Sequence, residues 1–233
     1  MLRETDSSRL HERDAVYHHA TVSAQEDMGA LATRIRGGIV ALKAARRVRE
    51  DTEDATAVAL AARNVANAKL DDAVRAVAAG AFLADRQRPT GGLLGRLFPD
   101  RTAAEIGGLA LDEELGEVAK LQERLALLPE GDPTRRHLET LGARATALQE
   151  AITAYGAARR TVSAARVRED QAQLEVRRAL GANRGTLIEM HHGDTRAAGR
   201  YFRTEPRNGK TNGVHAVAEA PVTPAPTPAP GAE

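Results

Sequence analysis

Apolar residues recur every three or four positions through most of the second half of the chain. From about residue 134 to 190 they hold nearly one heptad phase, at Leu138, Leu141, Ala145, Leu148, Ile152, Tyr155, Val162, Val176, Leu180, Leu187 and Met190. Alternating steps of three and four place these side chains on one helical face. The pattern predicts one helix of roughly 85 Å. Asp132 is its expected N-cap, with Pro133 at the first helical position, and Gly193 its expected left-handed end.

A shorter helix is predicted over residues 111–128. Its apolar face consists of Leu111, Leu115, Val118, Leu121, Leu125 and Leu128. Three carboxylates, Asp112, Glu113 and Glu114, lie in its first turn, where the helix dipole favours negative charge. The connector "LPEGDP" is short, so this helix is expected to fold back antiparallel against the long one.

The first half of the chain follows the same plan with a less regular pattern. A helix over about 10–35 would carry Val16, Met28, Leu31 and Ile35, and one over about 39–87 would carry Ile39, Leu42, Val48, Val58, Val65, Val74 and Val77. The pair Gly37–Gly38 between them predicts a turn. A single helix over 10–87 is the alternative, because apolar residues on both sides of the glycines stay in one helical phase.

A degraded repeat organises the chain. "LLGRLFPDRTAA" at 93–104 matches "LIEMHHGDTRAA" at 187–198 with an offset of 94 residues. Each copy would close a unit of short helix, turn and long helix, with Asp100 or Asp194 capping the turn that follows. The predicted parts are a flexible start at 1–9, unit one at 10–106, unit two at 107–205 and a disordered Pro/Ala-rich tail at 206–233.

The predicted fold is therefore all-α. Two long antiparallel helices, flanked by two short ones, would form an extended four-helix, coiled-coil-like arrangement packed as one domain. This order of elements and its closing phrases resemble uncharacterised bacterial all-helical proteins built from a duplicated short-helix/long-helix unit. The resemblance implies a fold and no activity.

Composition narrows the function classes. Aromatic residues make up 3% and Trp is absent, which favours narrow Ala, Val and Leu seams between helices. The absence of Cys excludes disulfides, thiolate metal sites and a Cys nucleophile. We expect a cytoplasmic protein without a membrane segment, because neither a signal-peptide pattern nor a long apolar run is present.

The doublet His191–His192 is the most visible candidate for chemistry. Glu189 and His192 have the Glu-x-x-His spacing of di-iron helical bundles, but such sites need a second pair, and the sequence has none. The other doublet, His18–His19, would lie about 30 Å from the level of a turn at Gly37. We therefore expect no metal or other cofactor, and a metal-binding bundle using Glu189, His191 and His192 remains the further alternative.

Charge patterning favours a protein partner over nucleic acid. The chain has 33 basic and 32 acidic side chains, without the basic excess of a dedicated nucleic-acid binder. The least neutralised patch, Arg177, Arg178 and Arg184, makes weak nucleic-acid association the alternative function. No catalytic constellation is evident, and no small-molecule substrate is implied. The sequence predicts a non-enzymatic helical protein that engages another protein, either a second copy or a different chain.

Overall fold

A computed structural model describes residues 4–87 and 92–203, with side chains described from Ser8 onward. Within these ranges the chain is helical and contains no strand, which confirms the all-α prediction for the described residues. The predicted tail, 206–233, lies outside them. The helices are α1 (Glu4–Ser23), α2 (Gly29–Gln87), α3 (Leu93–Leu97), α4 (Ala103–Ile106), α5 (Leu111–Ala126), α6 (His137–Met190) and α7 (Thr195–Gly199), with one 3₁₀ turn at Glu26–Met28.

Helices α2 and α6 form the body of the molecule and run antiparallel. Near one end Gly38 of α2 faces Val176 of α6, and near the other Gly80 faces His137. The two helices have 59 and 54 residues, which correspond to about 88 and 81 Å. None of the described helices combines the length and apolar character needed to span a bilayer.

The buried apolar residues form groups towards the two ends of this pair. At one end, α1 packs on both long helices, with Ala15 and Val22 fully buried. At the other, Val118, Leu121 and Leu125 of α5 join α3, α4 and the long helices in the largest cluster. The core is thus assembled from small and branched aliphatic contacts along helix seams, as the composition predicted.

The predicted turn at Gly37–Gly38 is wrong, and so is the alternative of one helix over 10–87. The chain turns at 24–28, where Gln25 has extended backbone angles and Met28 is buried. Both glycines lie inside α2, and Gly38 allows close approach, since an added Cβ would lie 3.1 Å from Val176 Cγ2. The unbroken apolar phase across the glycines was the correct guide, and helix α2 follows it.

The helices predicted in the second half are observed, with two shifted boundaries, since α5 ends at Ala126 instead of 128 and α6 begins at His137 instead of 134. Helix α6 begins at His137 because Asp132 caps a preceding turn instead, accepting the Thr134 N–H at 2.8 Å. Its end matches the prediction: Gly193 has a φ of 91° and donates its N–H to Ile188 O at 2.8 Å. Such a left-handed glycine satisfies carbonyls that the helix leaves unpaired.

Only some of the apolar residues named for the predicted helix over 39–87 are buried. Ile39, Leu42, Val74 and Val77 are buried, together with Leu31 and Ile35 before them. Val48, Val58 and Val65 are instead exposed, at 44%, 71% and 54%, as is Val16 of α1. The valines at 48, 58 and 65 belong to another face of α2, which is directed away from α6.

Candidate interaction surface

The residues of the predicted metal candidate do not converge. Glu189 and His192 are exposed, and His192 has a φ of 52° in the turn after α6. His191 is half-buried and stacks on the Tyr201 ring, with 5.8 Å between centroids. Among the described residues, no three His, Asp or Glu side chains are grouped so that they could hold a metal ion.

His18 lies close to the end of α6, contrary to the predicted separation of about 30 Å. The chain turns at 24–28 rather than at Gly37, so His18 is only a few residues from the turn. Its ring is fully buried and stacked on Phe202, with centroids 4.4 Å apart. Residue 18 therefore packs against the segment that follows α7.

Both ring nitrogens of His18 are engaged in hydrogen bonds. Nδ1 lies 3.0 Å from Tyr201 O, and Nε2 lies 3.0 Å from Asn183 Nδ2. The Asn183 amide is fixed by two further partners, since its oxygen accepts from Arg34 and its nitrogen donates to Leu31 O. His18 must then donate through Nδ1 and accept through Nε2, which is the neutral form.

This network makes His18 a structural residue. Burial first lowers its pKa below the usual 6.5, the neighbouring His19 lowers it further, and the bond to Tyr201 O opposes both effects. A proton on Nε2 would face the Asn183 amide N–H, and two donors cannot bond to each other. The ring therefore anchors the segment after α7 to α1 and has no free nitrogen for a metal.

The short helices in the two copies of the repeat, α4 and α7, have different N-terminal caps. Asp194 caps α7 as predicted, accepting the N–H groups of Arg196 and Ala197 at 2.8 and 3.0 Å. Asp100 does not cap the corresponding helix α4. That role belongs to Thr102, which forms a capping box with Glu105.

A buried carboxyl pair joins α2 to α5. Glu114, one of the three carboxylates in the first turn of α5, is fully buried. Burial, followed by the nearby charge of Asp71, raises the pKa of Glu114 to about 7, and neither carboxyl oxygen of Glu114 has a hydrogen-bond partner among the described residues. Two carboxylates so close together are best accommodated when one carries a proton.

The α2–α6 seam also contains a buried ionic cluster that the sequence reading did not identify. Arg49 and Glu169 are 5% and 4% exposed and form an ion pair. Ser8 of α1 donates a hydrogen bond to Glu169, and Glu53 contacts both Arg49 and Arg166. Glu169 thus joins three helices, so the cluster fixes their relative register rather than forming an exposed binding site.

The predicted nucleic-acid patch is exposed on α6. Arg177, Arg178 and Arg184 all face solvent, and none forms an ion pair within the part of the chain that the structure describes. Arg177 lies near His11 of α1 and, after burial, is a cause of the lowered pKa of that histidine. Glu175 and Glu189 are also exposed on this helix, so the patch is small.

Within the part of the chain that the structure describes, one face of α2 is directed away from α6 and is exposed along most of the helix; it is here named the outer stripe. Its positions follow heptad steps of three and four, and every one is exposed. They are Gly37, Ala41, Ala44, Val48, Asp51, Ala55, Val58, Ala62, Val65, Lys69, Asp72, Ala76, Ala79 and Leu83. Eleven of these fourteen residues are apolar, so α2 has an apolar seam on each of two opposite sides.

Comparisons with protein-family models, curated proteins and solved structures gave no match at a significant level.

Proposed function

We propose that this chain is a non-enzymatic helical protein that associates with a second copy of itself through the outer stripe of α2. In this proposal the antiparallel α2–α6 pair, flanked by α1 and α5, is an extended scaffold that presents the stripe. The observation that carries the proposal is the solvent exposure of an apolar heptad pattern over almost the whole length of α2.

The stripe is the kind of surface that a partner helix covers. Three of its large side chains, Val58, Val65 and Leu83, are more than half exposed. From Gly37 to Leu83 the stripe is about 69 Å long. Exposed apolar surface of this kind, interrupted only at Asp51, Lys69 and Asp72, is often an interaction site for another protein. Burying a Val or Leu side chain contributes about 1.5–3 kcal/mol, and a symmetric pair buries each of them twice.

The heptad spacing favours a helix as the partner. Steps of three and four over more than six heptads allow a second helix to follow the stripe as in a coiled coil. The small residues at many of the positions permit close approach of the two backbones. A second copy supplies such a helix without any further component.

Light scattering at two concentrations of the full chain tests the proposal. We expect the average mass of the wild-type protein to rise above that of one chain as concentration increases. The double variant Val58→Glu/Val65→Glu should keep the mass of one chain, because it would bury four carboxylates in the paired state. Val167→Glu is the matched control, since Val167 is 55% exposed on α6 and should leave association unchanged.

A wild-type protein with the mass of one chain at both concentrations would contradict the proposal. So would unchanged association of the double variant. Far-ultraviolet circular dichroism on all variants shows whether the helices are retained, so that a loss of association is assigned to the surface.

A further inference from the structure

The outer stripe is complementary to itself when it is read in the opposite direction. If two copies of α2 run antiparallel about the level of Leu60, the numbers of the facing residues sum to 120. The facing pairs are Gly37 with Leu83, Ala41 with Ala79, Ala44 with Ala76, Val48 with Asp72, Asp51 with Lys69, Ala55 with Val65 and Val58 with Ala62.

Residue size matches in this arrangement. Val58 would face Ala62 of the second copy, and Ala55 would face Val65, so that near the centre of the stripe each valine meets an alanine. At the ends of the stripe, Leu83 would face Gly37. Alternating large and small residues across facing positions is how helix surfaces interdigitate without voids.

Charge matches at Asp51 and Lys69, whereas Asp72, which forms an ion pair with Arg75 of its own helix at 3.0 Å, would face Val48. Asp51 and Lys69 are the two charged residues nearest the centre of the stripe, and each would face the other in the second copy. Both are exposed, and neither forms an ion pair within the described residues. In a parallel pair Asp51 would face Asp51 and Lys69 would face Lys69, and such like charges directly opposed are unfavourable.

The position of the axis also fits the length of the helix. Helix α2 spans Gly29–Gln87, so its midpoint is residue 58, close to the proposed axis at Leu60. Two copies related by this axis would overlap along nearly their full length. The contact is isologous, meaning that the same patch is used on both copies, and therefore it closes at two chains.

We propose that the chain forms an antiparallel two-fold dimer in which the α2 helices pair in register about Leu60. This inference rests on the proposed function and adds the orientation and the register. The dimer places Asp51 of each copy against Lys69 of the other, and it buries Val58 and Val65 at its centre.

Single-cysteine variants test the orientation directly, because the natural chain has no Cys. Ala44→Cys and Ala76→Cys lie on the stripe and would face each other across the dimer. In the antiparallel pair, two copies of residue 44 are about 48 Å apart. Under mild oxidation, we expect neither variant alone to cross-link and an equal mixture of both to give a disulfide-linked dimer.

The outcomes distinguish this inference from the function on which it rests. If each variant cross-links with itself, the chains associate in parallel, so the antiparallel inference is wrong while self-association stands. Absence of cross-linking in the mixture from a chain that light scattering shows to be dimeric would also overturn the register. A chain of monomeric mass would overturn both.

Charge reversal tests the register independently. Asp51→Lys alone, or Lys69→Asp alone, sets two pairs of like charges against each other, and we expect dimerisation to weaken about tenfold. An equal mixture of the two single variants restores both opposite-charge pairs, and so should recover wild-type affinity. Mixed chains that remain as weak as each variant alone would contradict the assignment of Asp51 to Lys69.

Discussion

His18 is neutral in the folded protein because its two ring nitrogens already have defined hydrogen-bonding roles. Its pKa is lowered below 6.5, chiefly by burial. Between the folded and unfolded pKa values the unfolded chain binds more protons. The free energy of unfolding is therefore greatest above pH 6.5 and falls as the pH decreases from 6.5 towards the folded pKa.

Replacing this ring tests that account. We expect His18→Gln to lower the free energy of unfolding at pH 7.5 by about 1–3 kcal/mol, since Asn183 and Tyr201 lose a buried partner. The variant should also lose less stability than the wild type between pH 6.5 and 5. Urea unfolding across this range, at one protein concentration, measures both effects.

His192→Asn is the control, because His192 is exposed and asparagine tolerates its left-handed backbone. Burial also lowers the pKa values of His11 and His137. Both histidines remain in all three proteins, so their contributions to the pH dependence of stability cancel when the proteins are compared. Identical pH profiles for the wild type and His18→Gln would show that His18 is not held neutral by the fold.

Glu114 has the opposite dependence on pH. Its pKa rises from 4.5 to about 7 on folding. The contribution of Glu114 to the free energy of unfolding is therefore fully present below pH 4.5 and is lost as the pH rises through 7. The cost above pH 7 is at most about 3 kcal/mol. Glu114→Gln cannot ionise, and we expect it to raise the free energy of unfolding at pH 8 by about 1–3 kcal/mol.

The same variant should change stability little at pH 4, where Glu114 is already protonated. Glu113→Gln is the neighbouring control, since Glu113 is exposed. A destabilised Glu114→Gln protein at pH 8 would mean that the charged carboxylate has a favourable partner and that the buried-pair account is wrong.

At single positions, sequence reading succeeded where a local rule applies. Asp194 and Gly193 follow capping rules that depend only on near neighbours, and both act as predicted. Glu114 and His18 could not be predicted, because their environments come from residues far along the chain, Asp71 in one case and Asn183 with Tyr201 in the other. The helical phase does place both with buried residues, Glu114 with Val118 and His18 with Ala15 and Val22, but it does not identify these distant partners.

Helix α2 shows that a pair of glycines does not by itself end a helix. An alanine Cβ at Gly37 would meet no atom within 4 Å. Glycine within a helix is less favourable than alanine by about 1 kcal/mol, so we expect Gly37→Ala to raise the free energy of unfolding by about that amount. Thermal or urea unfolding at a concentration where the chain is monomeric measures the change.

Gly181→Ala provides the comparison, because Gly181 lies in α6 with the same open surroundings and should gain a similar amount. If residues 37–38 instead formed a turn with positive φ, alanine there would be strained, and Gly37→Ala would destabilise the chain while Gly181→Ala would not.

Element boundaries were predictable where composition marks them. Helices α5 and α6 are separated by prolines and a glycine, and the proline-free stretch between 134 and 205 contains the long helix. The turn between α1 and α2 contains neither residue type before Gly29, so no strong signal identified it. There the apolar phase of Leu31, Ile35, Ile39 and Leu42 was better evidence than the glycine pair.

The face of α2 that packs inward could not be deduced from periodicity alone. Two heptad patterns run along this helix, and the valines at 48, 58 and 65 fit one as well as the aliphatic residues elsewhere fit the other. Only the packing against α6 separates them. It selects a central seam that includes the ion pair of Arg49 and leaves the three valines in solvent.

For the molecule as a whole, the unusual property is a long helix with apolar surface on two opposite sides. One side forms the monomer with α6. We infer that the other forms the dimer, and that charge and size decide its direction. This would make the chain an elongated scaffold whose two copies lie side by side, with equivalent ends pointing in opposite directions.

Small-angle X-ray scattering of the full chain tests this central claim most directly, because it gives the mass and the longest dimension together. The monomeric Val58→Glu/Val65→Glu variant is the reference for both. We predict that the wild-type protein has twice the mass of the variant. Its longest dimension should be greater by no more than about 10 Å, because the two α2 helices, each about 88 Å long, would be offset from each other by only about four residues. Equal masses, or a doubled mass with a much greater length, would contradict side-by-side pairing through α2.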